Sequence, residues 1–172
     1  MAFNRYYASE SYDGINAKCV FISHQRNDKA VAKAITDYIL KAGIDVYFDE
    51  YDTSIDINNP KSVVTSIQNG IRRSTHMLCL LSNNAMQSKW MPWEIGYGYD
   101  RTDLVGLTVK EISESILPEY LQVIPILRGT KSLNIFLSRV CGSSIAQMVN
   151  ENRLESYSTL QHPLDNYLNW SL

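Results

Sequence analysis

Short, wholly apolar runs alternate with amphipathic stretches through most of the chain. Cys19-Val20-Phe21-Ile22-Ser23 reads as a buried strand. Asp28 is placed to cap a helix with Val31, Ile35, Tyr38, Ile39 and Ala42 on one face, and Gly43 stops it. Asp45-Val46-Tyr47-Phe48-Asp49 is a second strand, followed by a polar loop from Glu50 to Asn59. Asn59 caps the next helix, with Pro60 in its first turn and Val63, Val64, Ile67 and Ile71 on its buried face. Met77 to Leu81 forms a third strand. The stretch S-K-W-M-P-W-E-I-G, residues 88–96, opens a third helix that fades near Tyr99. Leu104 to Val109 is a fourth strand weakened by Gly106, and Val123 to Leu127 a fifth, which Pro125 confines to an edge. A closing helix spans Leu133 to Val149 with a weak middle at Gly142.

Strands that are apolar throughout and alternate with helices belong to a parallel sheet covered on both faces. The expected architecture is α/β, a doubly wound five-stranded parallel sheet of flavodoxin-like order with helices on both faces. Ligands of such sheets bind beyond the carboxyl ends of the strands, at the switch point. Ser23-His24-Gln25-Arg26, the loop from Glu50 to Asn59 and the segment from Ser82 to Glu94 should therefore meet in one cleft. Residues 1–17 form an N-terminal extension, 18–149 the domain, and 150–172 a polar tail with a short helical pattern at Leu164, Tyr167 and Leu168.

Composition removes several classes of function. A chain of 172 residues can bury one full core, and a formal net charge of -2 leaves no footprint for nucleic acid or a membrane surface. No apolar run approaches the roughly 20 residues of a membrane span, and the polar N-terminus lacks a signal sequence, so a cytoplasmic protein is expected. Cys19, Cys79 and Cys141 have no paired spacing, and His24, His76 and His162 have none suited to a metal. Glycine-rich phosphate loops and a G-x-S-x-G elbow are absent. A phospho-receiver needs an acidic pair after strand one and a lysine after strand five, where this chain has Ser23-His24 and Arg128.

What remains is one carboxylate, Glu94, among aromatic residues, with an arginine, Arg26, in the same expected cleft. Most glycosidases need two carboxylates, because a sugar alkoxide must be protonated as it leaves. The nicotinamide of NAD leaves as a neutral pyridine from a cationic precursor, so no general acid is required. One carboxylate can then suffice by favouring the cation-like transition state. Glu94 is equally compatible with a plain helix-start carboxylate that favours the macrodipole.

Four blocks in order carry a resemblance: V-F-I-S-H-Q-R-N-D, G-I-D-V-Y-F-D, S-I-Q-N-G-I-R-R-S and L-L-S-N-N-A-M-Q-S-K-W-M-P-W-E-I. Over about residues 18 to 140 the chain resembles the Toll/interleukin-1 receptor (TIR) domain family. Enzymatic members carry W-x-x-x-E, matched by Trp90 and Glu94, which implies that Glu94 is the catalytic residue of NAD cleavage. The resemblance implies a substrate-binding set of Ser23, His24, Arg26, Asp49 and Trp90, with NAD as substrate and neither cofactor nor metal. At His24-Gln25 the chain departs from the aromatic or arginine found in many members. The segment after strand two corresponds to a loop that gates the site and mediates assembly. There Ile55 and Ile57 alternate within a polar context. The chain is also similar to the sensor-enzymes of bacterial anti-phage systems such as Thoeris, which turn NAD into a nucleotide signal for a separate effector. The expected function is therefore cleavage of NAD to a cyclic ADP-ribose isomer or ADP-ribosyl conjugate, with self-assembly through TIR–TIR contacts. The alternatives are a non-enzymatic TIR interaction module and an NAD-depleting hydrolase that yields ADP-ribose.

Overall fold

Five apolar runs become five parallel strands, the first three of them buried throughout. The computed structural model describes residues 1–7, 18–48, 58–110, 112–156 and 161–172. The elements run β1 (Cys19–Ser23), α1 (Lys29–Lys41), β2 (Asp45–Tyr47), α2 (Pro60–Arg72), β3 (His76–Leu81), α3 (Met91–Gly98), β4 (Asp103–Thr108), β5 (Ile126–Leu127), α4 (Thr130–Cys141) and α5 (Ile145–Asn150). The sheet order is β2-β1-β3-β4-β5, and every pairing is parallel. This is the expected doubly wound α/β fold, with its switch point between β1 and β3.

Side chains alternate between the two faces of a strand. Val20, Ile22, Leu78 and Leu80 pack into one layer with α1 and α4, through Ile35, Ile39, Leu133 and Leu137. Cys19, Phe21, Met77, Cys79 and Leu81 pack into the other, with Ile71 of α2 and Ile95 of α3. Ser23 continues the odd-numbered side of β1 and is paired in register with Cys79. The same alternation thus aims the last residue of β1 at the α2–α3 layer. Gly70 of α2 allows a close approach there. A Cβ at that position would lie 2.5 Å from Phe21 Cε2 and 2.6 Å from Tyr47 Cε1.

Several boundaries differ from the sequence pattern, each for a physical reason. The closing helix is two helices. Gly142 adopts a left-handed conformation (φ 64°) at the end of α4 and donates to the carbonyls of Ser138 and Arg139, and Ser144 then caps α5. β5 keeps only two residues, because Val123 ends a 3-10 turn (Glu119–Val123) and Pro125 has no N–H for the ladder. The segment 163–168 forms turns rather than a helix. It is nevertheless anchored: Leu154, Leu164 and Leu168 are buried with α1 and α4. Backbone bonds tie this segment across the carboxyl ends of β4 and β5. Lys110 donates to Tyr167, and Thr130 to Asn169. At the other edge, Asn4 bridges to Val46 and exchanges side-chain bonds with the backbone of Phe48, and Arg5 pairs with Asp45 at 2.9 Å, covering β2.

Asp28 does not cap α1 with its side chain. Gln25 takes over capping at the preceding 3-10 turn, where its side chain accepts from Arg26 N at 2.7 Å. The buried carboxylate of Asp28 instead accepts from Ser82 Oγ and from Asn84 Nδ2, the latter at 2.7 Å. Ser82 Oγ also accepts from Ala85 N at 3.0 Å. These bonds clasp the segment after β1 to the segment after β3. Asp28→Ala should therefore cost about 2–3 kcal/mol in urea unfolding, because it leaves buried donors unpaired. Combined with Ser82→Ala, the two losses should overlap by about 1 kcal/mol or more. Strictly additive losses would show that the clasp does not act as one unit.

Candidate active site

α3 begins where Ser88 places its hydroxyl to accept from the N–H groups of Trp90 and Met91, both at 3.2 Å. Pro92 occupies the first turn, and Glu94 N closes onto Trp90 O at 2.9 Å. The helix start therefore presents Glu94 toward β1, where Ser23 Oγ donates to its carboxylate oxygen Oε2. Ser23 is itself buried, and Cys79 lies beside it on β3. Burial pushes the Glu94 carboxyl above its ordinary value, and the bond from Ser23 pulls it back toward the ionised form. The Cys79 thiol is pushed strongly upward by burial and by the nearby Glu94 charge, so it remains a neutral neighbour.

The pair opens onto a cleft of ≈ 330 Å³. Phe21 and Tyr47 contribute stacked rings, with centroids 5.9 Å apart. Val63, Ser66 and Ile67 of α2 line it as well. The segment Ser23-His24-Gln25-Arg26 and the group Ser88, Trp90 and Glu94 complete it. Of the residues singled out from sequence, Ser23, His24, Arg26, Trp90 and Glu94 come together in this one cleft. Asp49, Ile55 and Ile57 lie outside the described residues.

The aromatic setting of Glu94 is one-sided. Trp90 lines the cleft and is 38% exposed. Trp93 instead stacks on Tyr97 (5.5 Å, 15°) and meets Trp90 edge-on at 6.2 Å. Arg101 extends that stack, with its guanidinium 4.1 Å from the Tyr97 ring centroid. His24 places Nδ1 3.3 Å from the carbonyl of Ile22 and packs its ring 5.0 Å from that of Phe48. Arg26 is exposed.

Tyr47, Val63, Ser66 and Ile67 were not foreseen as site residues. The i, i+3, i+4 spacing of Val63, Ser66 and Ile67 was visible, but it is the ordinary signature of a core-facing helix. Only the position of α2 beside the switch point turns that face into a wall. Together these groups can seat a flat or cationic moiety on apolar rings beside one carboxylate, and the Arg26 side chain also lines the cleft.

The sequence pattern of the TIR domain family matches residues 20–136. Over 95 residues the chain is 32% identical to a Bacillus cereus (strain MSX-D12) protein named "Probable 3' cyclic ADP-D-ribose synthase ThsB'". That alignment covers 52% of this chain and 48% of the relative, so the chain matches about half of that protein's length. The matched region runs from within β1 to α4 and holds every described cleft residue, and the sheet order and the Ser23–Glu94 pair sit where a switch-point site requires them. On this match and this architecture, the chain belongs to the TIR domain family.

Proposed function

We propose that the protein cleaves the bond between nicotinamide and ribose in NAD and releases a signalling nucleotide, a cyclic ADP-ribose isomer or an ADP-ribosyl conjugate. The observation that carries this reading is the Ser23–Glu94 pair, a partly desolvated carboxylate held by a hydroxyl donor at an apolar cleft. The leaving nicotinamide takes the bonding electrons and becomes neutral, so it needs no acid. The ribosyl fragment becomes cationic as the bond stretches, and an ionised Glu94 opposes that charge where water is scarce. Trp90 and the Phe21–Tyr47 rings supply faces for the nicotinamide and exclude water, and Arg26 is suited to the diphosphate. The Bacillus cereus relative, named a probable 3' cyclic ADP-D-ribose synthase, supports a cyclic product. The released nucleotide would act on a separate effector in anti-phage defence.

Glu94→Gln keeps the shape and removes the charge. Its turnover should fall about 100-fold or more with the fold retained, read as nicotinamide release and circular dichroism. Cleavage at the wild-type rate in that variant would end the assignment. Mass spectrometry of the products decides the rest. Linear ADP-ribose as the only product under all conditions would point to NAD depletion, and no cleavage at all to an interaction module.

Self-assembly is part of the same proposal. Ile55 and Ile57 alternate in an otherwise polar segment and are suited to cover by a second protomer. Specific activity should rise with protein concentration, and replacing both residues by Asp should lower assembly and activity together. Concentration-independent activity in wild type, with normal cleavage by the double variant, would remove assembly from the account.

A further inference from the structure

Residues 161–172 form no helix, yet they are bound tightly to the rest of the fold. Leu164 and Leu168 are buried in the α1–α4 layer. The first N–H groups of a helix have no partner within it. For α4 this segment supplies them: Thr130 N donates to Asn169 O and Ser132 N to Leu172 O, both at 2.9 Å. Just beyond β4, Lys110 donates twice, from N to Tyr167 O and from Nζ to Asp165 O, both at 2.8 Å.

The turn that opens this segment is closed by an imidazole. His162 Nδ1 accepts from Leu164 N at 3.1 Å. A backbone N–H can only donate, so Nδ1 carries no proton and the neutral ring bears its proton on Nε2. The ring is 4% exposed and packs against Tyr38 of α1 and Trp170, with centroids 5.3 and 5.6 Å away. Asp165 closes the same turn through the backbone. Its carboxylate accepts from His162 N at 2.8 Å, and its own N donates to His162 O at 3.0 Å.

A second proton and this turn are incompatible. An imidazolium has two N–H donors and no lone pair. A proton on Nδ1 would set donor against donor at Leu164 N, in a buried site where neither finds water. Among the described residues, the groups that face the ring are Tyr38 and Lys41 of α1, Glu155, and Asp165 of its own segment. Glu155 is paired with Lys41, and the Asp165 carboxylate with the His162 backbone. Burial outweighs the attraction of the two carboxylates and, with Lys41, holds the imidazole below its ordinary value of 6.5.

We infer that residues 161–172 are an acid-released strap: a proton on His162 Nδ1 opens the turn to Leu164 and frees the segment from α4 and from the end of β4. The folded ring takes its second proton less readily than a free imidazole. The strap is therefore fully held above 6.5 and loosens as the pH falls below that value. Release uncovers the first-turn donors of α4 and the apolar bed of Leu164 and Leu168. The strands β1 and β3 keep their own ladder.

Amide hydrogen exchange of the full-length protein, read residue by residue by NMR and corrected for the intrinsic effect of pH, tests this. Protection of the Lys110, Thr130 and Ser132 amides should fall about fivefold or more between about pH 7.5 and about pH 5, and by no more than about tenfold per pH unit, the limit for one proton. The Leu78 and Leu80 amides of β3 should hold theirs. In His162→Asn the side-chain oxygen can accept from Leu164 N in the same i, i+2 turn and does not titrate, so protection should stay level. Level protection in wild type overturns the inference, and so does an equal fall in the variant, which would assign the loss to another group. A parallel fall of the β3 amides is general acid unfolding and overturns it too. The ring nitrogen shifts of wild type give a check that needs no variant. Nδ1 should be the unprotonated nitrogen at neutral pH and should gain its proton over the range where protection falls. A ring protonated on Nδ1 at neutral pH, or one that titrates without loss of protection, overturns the strap.

Discussion

A carboxylate beside apolar rings is unstable as an anion unless a donor holds it. In this protein the donor is the Ser23 hydroxyl, and the carboxylate is Glu94. Burial drives Glu94 toward its neutral form, and Ser23 opposes that. On the proposed reading the balance matters, because only the ionised form would oppose a developing ribosyl cation. Desolvation strengthens the attraction in the transition state, and the hydroxyl keeps the ion available in the ground state.

The rest of the fold serves to bring these two side chains together. Strand alternation sends Ser23 to the α2–α3 face, and parallel register sets it beside Cys79. Ser88 fixes where α3 begins, and so where Glu94 points. The Asp28–Ser82–Asn84 clasp ties together the two segments that leave β1 and β3. Gly70 lets α2 come close enough to Phe21 and Tyr47 for three layers to enclose one cleft. On the proposed reading Glu94 faces the ribosyl carbon and the Phe21 and Tyr47 rings the nicotinamide, while Ser23, Asp28, Ser82, Asn84, Ser88 and Gly70 act by placing them.

Much of this was legible in the sequence because it depends on local pattern. The apolar runs identified the strands, their alternation with helices identified the sheet, and the sheet order located the cleft. Glu94 stood out because a charge beside tryptophans is rare. Interactions between distant segments were not legible. Asp28 looked like a cap, since an aspartate before a helix usually is one, and its partners lie more than fifty residues away. The tail read as polar, yet Leu154, Leu164 and Leu168 complete the α1–α4 core. Gly142 was seen as a weakness, but only its left-handed backbone shows that it divides two helices.

The central claim is that an ionised Glu94, held by Ser23, carries the cleavage. The most direct measurement is the pH dependence of kcat/KM for nicotinamide release in wild type and in Ser23→Ala. Burial raises the Glu94 carboxyl and the Ser23 bond lowers it, so removing the hydroxyl must raise it further. Activity needs the ionised form, so the acid limb of the profile should move to higher pH in the variant, with partial activity recovered on the alkaline side. An acid limb that stays in place, or moves to lower pH, would contradict the account.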